Sequence, residues 1–134
     1  MGKISARIHV SNFGDESKNI DTRALIDTGA AYLTLPAPWK DRLGDLEKME
    51  DVVVELADGS TKTAELCGPV RLRISDDSGN RFRKTSTEAL FIDMAVDEAG
   101  RYEPLVGFIP LEQAGVAIDP RKQRLFQTKR VDLK

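Results

Sequence analysis

The stretch Ala24-Leu25-Ile26-Asp27-Thr28-Gly29-Ala30 sets a carboxylate at the end of an apolar run and follows it with a hydroxyl, a glycine and a small residue. A carboxylate leaving a buried strand must be compensated by hydrogen bonds or change its proton affinity. Such a group can serve as general acid or base toward a polar bond held against it. Read alone, the triplet is also how a strand ends in a turn, since Asp and Gly are common turn residues. The chain makes the point itself, because Asp77-Ser78-Gly79 repeats the pattern between Ser75-Asp76 and Asn80-Arg81, without apolar flanks. That second triplet reads as a solvated hairpin turn.

Other chemistries find less support. A lone Cys67 and a lone His9 could in principle form a nucleophile and base, but no surrounding pattern joins them, and a half-buried core thiol is the plainer reading. One Cys and one His supply no zinc-ligand set and no internal disulfide, so a structural metal is not expected. Lys and Arg total 20 against 22 Asp and Glu, a balance that gives no electrostatic reason for a nucleic-acid or anionic-membrane partner. The N-terminus lacks the apolar run of a signal peptide, no stretch is apolar enough to span a bilayer, and Ala6 stands where a myristoylated chain carries Ser or Thr. A cytoplasmic location is the expectation.

The elements that would position Asp27 are mostly strands. Residues 4–10 place Ile4, Ala6, Ile8 and Val10 on one face, and residues 20–26 return after a polar loop, forming a hairpin. Residues 32–35 continue extended up to Pro36, and Trp39, Leu43 and Leu46 recur at helical spacing, with Gly44 as an interruption. Residues 52–57 and 61–66 flank Asp58-Gly59, a hairpin signal for a two-residue turn in which both central residues take positive φ. Gly68-Pro69 punctuates, residues 70–74 and 81–93 read as further strands, and Leu105-Val106-Gly107 is a short apolar run ending in glycine. Pro110 opens a helical turn that Gly115 stops, and residues 116–118 and 124–127 flank Asp119-Pro120 as a last hairpin. At 134 residues and 40% hydrophobic composition this is one domain, residues 1–134, large enough to bury a core.

Apolar residues before Asp27-Thr28-Gly29-Ala30, a hairpin near the middle, then Leu105-Val106-Gly107 and a helical turn: this arrangement resembles the retropepsin-like aspartic proteases, over nearly the whole chain from about Ile4 to Phe126. It is similar in detail to the bacterial single-domain members, in which the strand runs on to a Leu-Pro, here Leu35-Pro36, and then a helix, here Trp39 to Leu43. The resemblance implies a mainly β fold, a closed acid-protease barrel with one or two short helices. It also implies an aspartic endopeptidase. Only Asp27 qualifies as a catalytic acid and the interval to Asp77 is too short for a second lobe, so a homodimer is implied, with a two-fold axis between two copies of Asp27.

In such a pair the two carboxyl groups share one proton, because like charges that close cannot both ionise. One Asp27 activates water, and the other, protonated, bonds to the scissile carbonyl of a peptide or protein substrate. By resemblance Thr28 braces the loop against the opposite subunit, the Gly29 carbonyl binds extended peptide, and Ala30 and Ala31 border it. The hairpin at Ala57, Asp58 and Gly59 acts as a flap, and Leu105 and Val106 line or support the substrate pockets. Ala31 and Phe108 stand where retroviral members carry a paired acid and arginine, so an apolar contact is expected in place of that ion pair. Ile109 departs from the acidic residue of many bacterial members. A dimerisation or peptide-binding module with little turnover is the alternative, and an all-β ligand-binding barrel a third. The sequence leaves open whether the basic segment from Thr128 to Lys134 joins a dimer sheet.

Overall fold

Alternation of apolar and polar residues builds strands that have somewhere to close. The computed structural model of the chain describes residues 3–128. In chain order it runs β1 (Ser5–Asn12), β2 (Asn19–Ile26), β3 (Leu33–Pro36), a 3-10 helix (Ala37–Leu43), β4 (Glu47–Glu55), β5 (Thr61–Ser75), β6 (Thr85–Ile92), β7 (Leu105–Val106), α1 (Phe108–Ala114), β8 (Val116–Asp119) and β9 (Arg124–Gln127). Neighbouring strands follow the order β1-β2-β7-β3-β6-β5, and β5 pairs back onto β1, closing a barrel of six strands. β4 hangs on the outside of β5 as an edge strand, and β8 and β9 form a separate hairpin. No helix among the described residues is long and apolar enough to cross a membrane.

Closure depends on the length of β5. Its second half pairs with β1, setting Leu72 opposite Val10 and Ile74 opposite Ile8, while its first half pairs with β4 on one side and, from Glu65 to Cys67, with β6 on the other. Ile8, Val10, Leu33, Leu35, Leu72, Ile74 and Val106 are fully buried inside, so the barrel is filled by its own side chains, as small barrels are. β6 alternates strictly between two environments. Ala89 and Phe91 join this interior, whereas Leu90 and Ile92 face outward into a second apolar cluster with Ala64, Leu66, Tyr32, Val52, Val54 and Met94. The second cluster lies under the β4–β5 hairpin and joins it to the barrel wall.

Several sequence expectations change. Gly68-Pro69 does not break the strand: β5 runs through it, absorbing the irregularity as a register shift against β6 between Cys67 and Val70. The helix expected from Trp39 to Leu46 is a 3-10 helix ending at Leu43, opened by Pro38 and stopped by Gly44. Residues 81–84 precede the regular strand, with Phe82 turned into the core and its amide bonded to the Ile74 carbonyl at 2.9 Å. α1 starts at Phe108, so Pro110 sits inside the first turn, where a missing amide removes no helical hydrogen bond. The β4–β5 turn has one residue of positive φ, Gly59, not two. Leu56 and Ser60 bond across it, and the Asp58 carboxylate accepts the Ser60 amide at 2.9 Å, so three residues turn the chain with Gly59 in the left-handed position. Beyond Thr128 the basic terminal segment lies outside the described residues.

Candidate active site

Asp27 follows β2 directly, and its position is fixed from both sides. The Ile26 amide donates to the Ile4 carbonyl at 2.8 Å, and the Asp27 amide to the Val106 carbonyl at 3.0 Å. β2 and β7 run parallel with Ile26 beside Val106, and β3 returns antiparallel on the far side of β7. The loop from Asp27 to Tyr32 therefore wraps around the end of β7. Within it the Gly29 amide donates to Asp27 Oδ1 at 2.9 Å and the Ala30 amide to the Asp27 carbonyl at 3.1 Å. The Asp27 side chain is half-buried, whereas Thr28 and Gly29 are exposed.

Helix α1 holds this loop with groups it cannot use itself. The first amides of any helix lack intrahelical acceptors. Here three consecutive amides at the start of α1 bond to three consecutive carbonyls of the loop: Gly107 to Tyr32 at 3.1 Å, Phe108 to Ala30 at 2.9 Å and Ile109 to Ala31 at 3.0 Å. The approach is close enough to require glycine, because a Cβ on Gly107 would stand 2.5 Å from the Ala30 carbonyl oxygen and 2.7 Å from the Tyr32 nitrogen. Main-chain bonds join the two segments, and the Phe108 side chain stays 41% exposed.

Beside the loop opens a cavity of about 660 Å³, within the range of small-ligand and peptide-side-chain sites. Gly29, Ala30, Ala31 and Tyr32 form one wall, Leu105 the floor, and Val52, Val54 and Leu56 of the hairpin the roof, with Leu90, Ile92 and Met94 behind. Lys62, Asp93 and Glu103 supply its charged edge, where Lys62 Nζ donates to the Asp93 carbonyl at 2.9 Å. No family model matches the chain, and no curated protein does.

The structure thus brings Gly29, Ala30, Ala31 and Leu105 together at the cavity, which Asp27 and Thr28, the two residues before Gly29, do not themselves line. Val106 lies fully buried beneath the loop and supports it without lining the cavity. Ala57, Asp58 and Gly59 are exposed at the hairpin tip and do not line it; the inward-facing residues nearer the root do. Tyr32, Val52, Val54 and Leu56 line the cavity without belonging to any chemical motif, and the one trace of them in the sequence is the period-two run from Val52 to Leu56, which marks a hairpin with one apolar face.

The other candidates separate in space. Cys67 is fully buried, and burial pushes its thiol up, the opposite of an activated nucleophile. His9 lies on β1, with Nδ1 2.7 Å from Asp21 Oδ1 on the neighbouring strand. Asp77 sits in the turn between Asp76 and Asn80, exposed, and binds Arg23 Nη1 at 2.8 Å. The Arg23 guanidinium, by hydrogen bond and by charge, holds its carboxyl below the usual value. Among the described residues no three His, Cys, Asp or Glu side chains gather as a metal set.

Proposed function

We propose that the chain is an aspartic endopeptidase of the retropepsin type, active as a homodimer in which two copies of Asp27 form the reaction centre. The observation that carries this reading is the mounting of Asp27. A half-buried carboxylate stands at the end of β2, on a loop tied to β7 and to the first amides of α1, beside an apolar cavity roofed by a hairpin. A turn that merely ended a strand would have no use for three amides of a helix or for an obligate glycine beneath it. The barrel interior is already filled, so a ligand has no room there, which disfavours a lipocalin-like carrier.

In this reading an extended peptide lies between the loop and the hairpin, with apolar side chains in the cavity. One Asp27 carboxylate takes a proton from a water molecule as the water oxygen attacks the scissile carbonyl carbon. The second carboxyl group, protonated, hydrogen-bonds to the carbonyl oxygen and stabilises the charge gathering there. Proton transfer to the amide nitrogen then lets the C–N bond break. In the same reading the Thr28 hydroxyl, exposed in the single chain, meets main chain of the second subunit. The β4–β5 hairpin excludes water over the site, acting through its inner face near the root and not through its tip.

The test is cleavage of an unstructured protein such as casein, with new termini read by mass spectrometry. The parent chain is expected to cut and Asp27→Asn to lose cutting while keeping its fold and dimer. Undiminished cutting by Asp27→Asn, or none by the parent from about pH 4 to about pH 7, would overturn the reading.

A further inference from the structure

We infer that Phe108 is the apolar anchor through which a second copy of this chain docks at the Asp27 loop. The inference rests on the peptidase reading and names the contact that would complete that site. Phe108 is the first residue of α1, and its amide bonds to the Ala30 carbonyl, so the residue stands directly beside the Asp27 loop. It is one of few large apolar side chains left exposed, at 41%. Elsewhere such residues are scattered, like Phe13, whose ring is covered by Arg71 with the guanidinium carbon 4.2 Å from its centroid. Phe108 has no such cover among the aromatic and cation contacts of the described residues.

Charge decides what fits this face. The segments meeting around Asp27, residues 28–39 and 104–111, contain no Asp, Glu, Lys or Arg, in a chain where these make up 31% of residues. An isologous contact sets each residue near the two-fold axis against its own copy, so any charge there repels itself. The uncharged segments carry the exposed aromatic ring between them, with Glu103 and Glu112 just outside, and Asp27 at their centre is the charge that gains from meeting its copy by sharing a proton. An unrelated partner would also cover the ring but would leave the carboxylate single. Aromatic side chains at the centre of a contact commonly carry most of its energy. Phe108 therefore holds the two loops together through its ring.

Analytical ultracentrifugation of the parent, Phe108→Glu, Phe108→Ala and Phe108→Leu tests this. A glutamate at the first position of a helix suits the helix dipole, so Phe108→Glu preserves the folded subunit while setting two like charges across the axis. The parent and Phe108→Leu are expected to be dimers at micromolar concentration. Phe108→Ala should dissociate about 30-fold more readily or worse, and Phe108→Glu should be monomeric with an unchanged circular dichroism spectrum. Casein cleavage by Phe108→Ala should recover as its concentration is raised. A Phe108→Glu dimer as tight as the parent's would overturn the anchor while leaving the peptidase reading intact. A parent that stays monomeric at every concentration yet cleaves casein would overturn both the anchor and the shared reaction centre.

Discussion

Gly107 lies against Ala30 so closely that the smallest possible side chain on it would stand 2.5 Å from the Ala30 carbonyl oxygen. Behind that contact are the three amide–carbonyl bonds through which α1 grips the Asp27 loop. Gly107→Ala must push the loop away or break those bonds. Overpacking of this kind costs about 1–3 kcal/mol, to be read from urea denaturation. Cleavage should fall further than the stability loss explains, because the displaced loop carries Asp27. A variant with parental activity and stability would show that the loop yields freely.

The cavity roof gives a second expectation. Val54 is half-buried and faces the cavity, so a charge there is tolerated by the fold but stands where an apolar substrate group would sit. Val54→Asp should lower kcat/KM on peptides with bulky apolar residues by roughly tenfold or more, mostly through KM. Met49, 49% exposed on the same strand and outside the cavity lining, is the control, and Met49→Asp should change little.

The two apolar clusters should differ in what they stabilise. Leu72, fully buried opposite Val10 at the barrel closure, should cost about 2–5 kcal/mol when cut to Ala. Val52, half-buried in the hairpin cluster, should cost about 1 kcal/mol or less. Equal losses in thermal and chemical denaturation would mean that the hairpin is as integral to the barrel as its own staves.

Acid stability should depend on Asp77 with a definite sign. Its hydrogen bond and charge contact with Arg23 lower its folded pKa below the ordinary 3.8, so the folded chain binds fewer protons than the unfolded one. The stabilisation is therefore complete above that ordinary value and is lost as pH falls through it toward the lowered one. Asp77→Asn should lower Tm slightly at neutral pH, the pair being exposed, and the difference should close in acid. A difference that widens on acidification would reverse the assignment.

Much of this was legible in the chain itself, and the failures are physical. Period two marked β1, β2 and the second half of β5, because each has one face in the barrel interior. The run of apolar residues before Asp27 and the short apolar run ending at Gly107 marked the two segments that meet. Nothing local revealed that they meet by helix-terminal amides, since main-chain bonding between distant segments leaves no trace in side-chain pattern. Gly68-Pro69 misled because a bulge absorbs what looks like a terminator. The hairpin tip at Asp58-Gly59 drew attention by its turn chemistry, whereas the cavity is roofed by the plainer valines closer to the barrel.

Because the barrel interior and the hairpin cluster share the strands β5 and β6 yet contact different faces of them, the chain keeps what makes it fold apart from the face that, on the peptidase reading, chooses its substrate. Drift in Val52, Val54, Tyr32 or Met94 can retune preference for one occupant over another without loosening the drum beneath. On that reading cleavage preference is free to shift while the staves, and the close contact of Gly107 with the Asp27 loop, stay as they are.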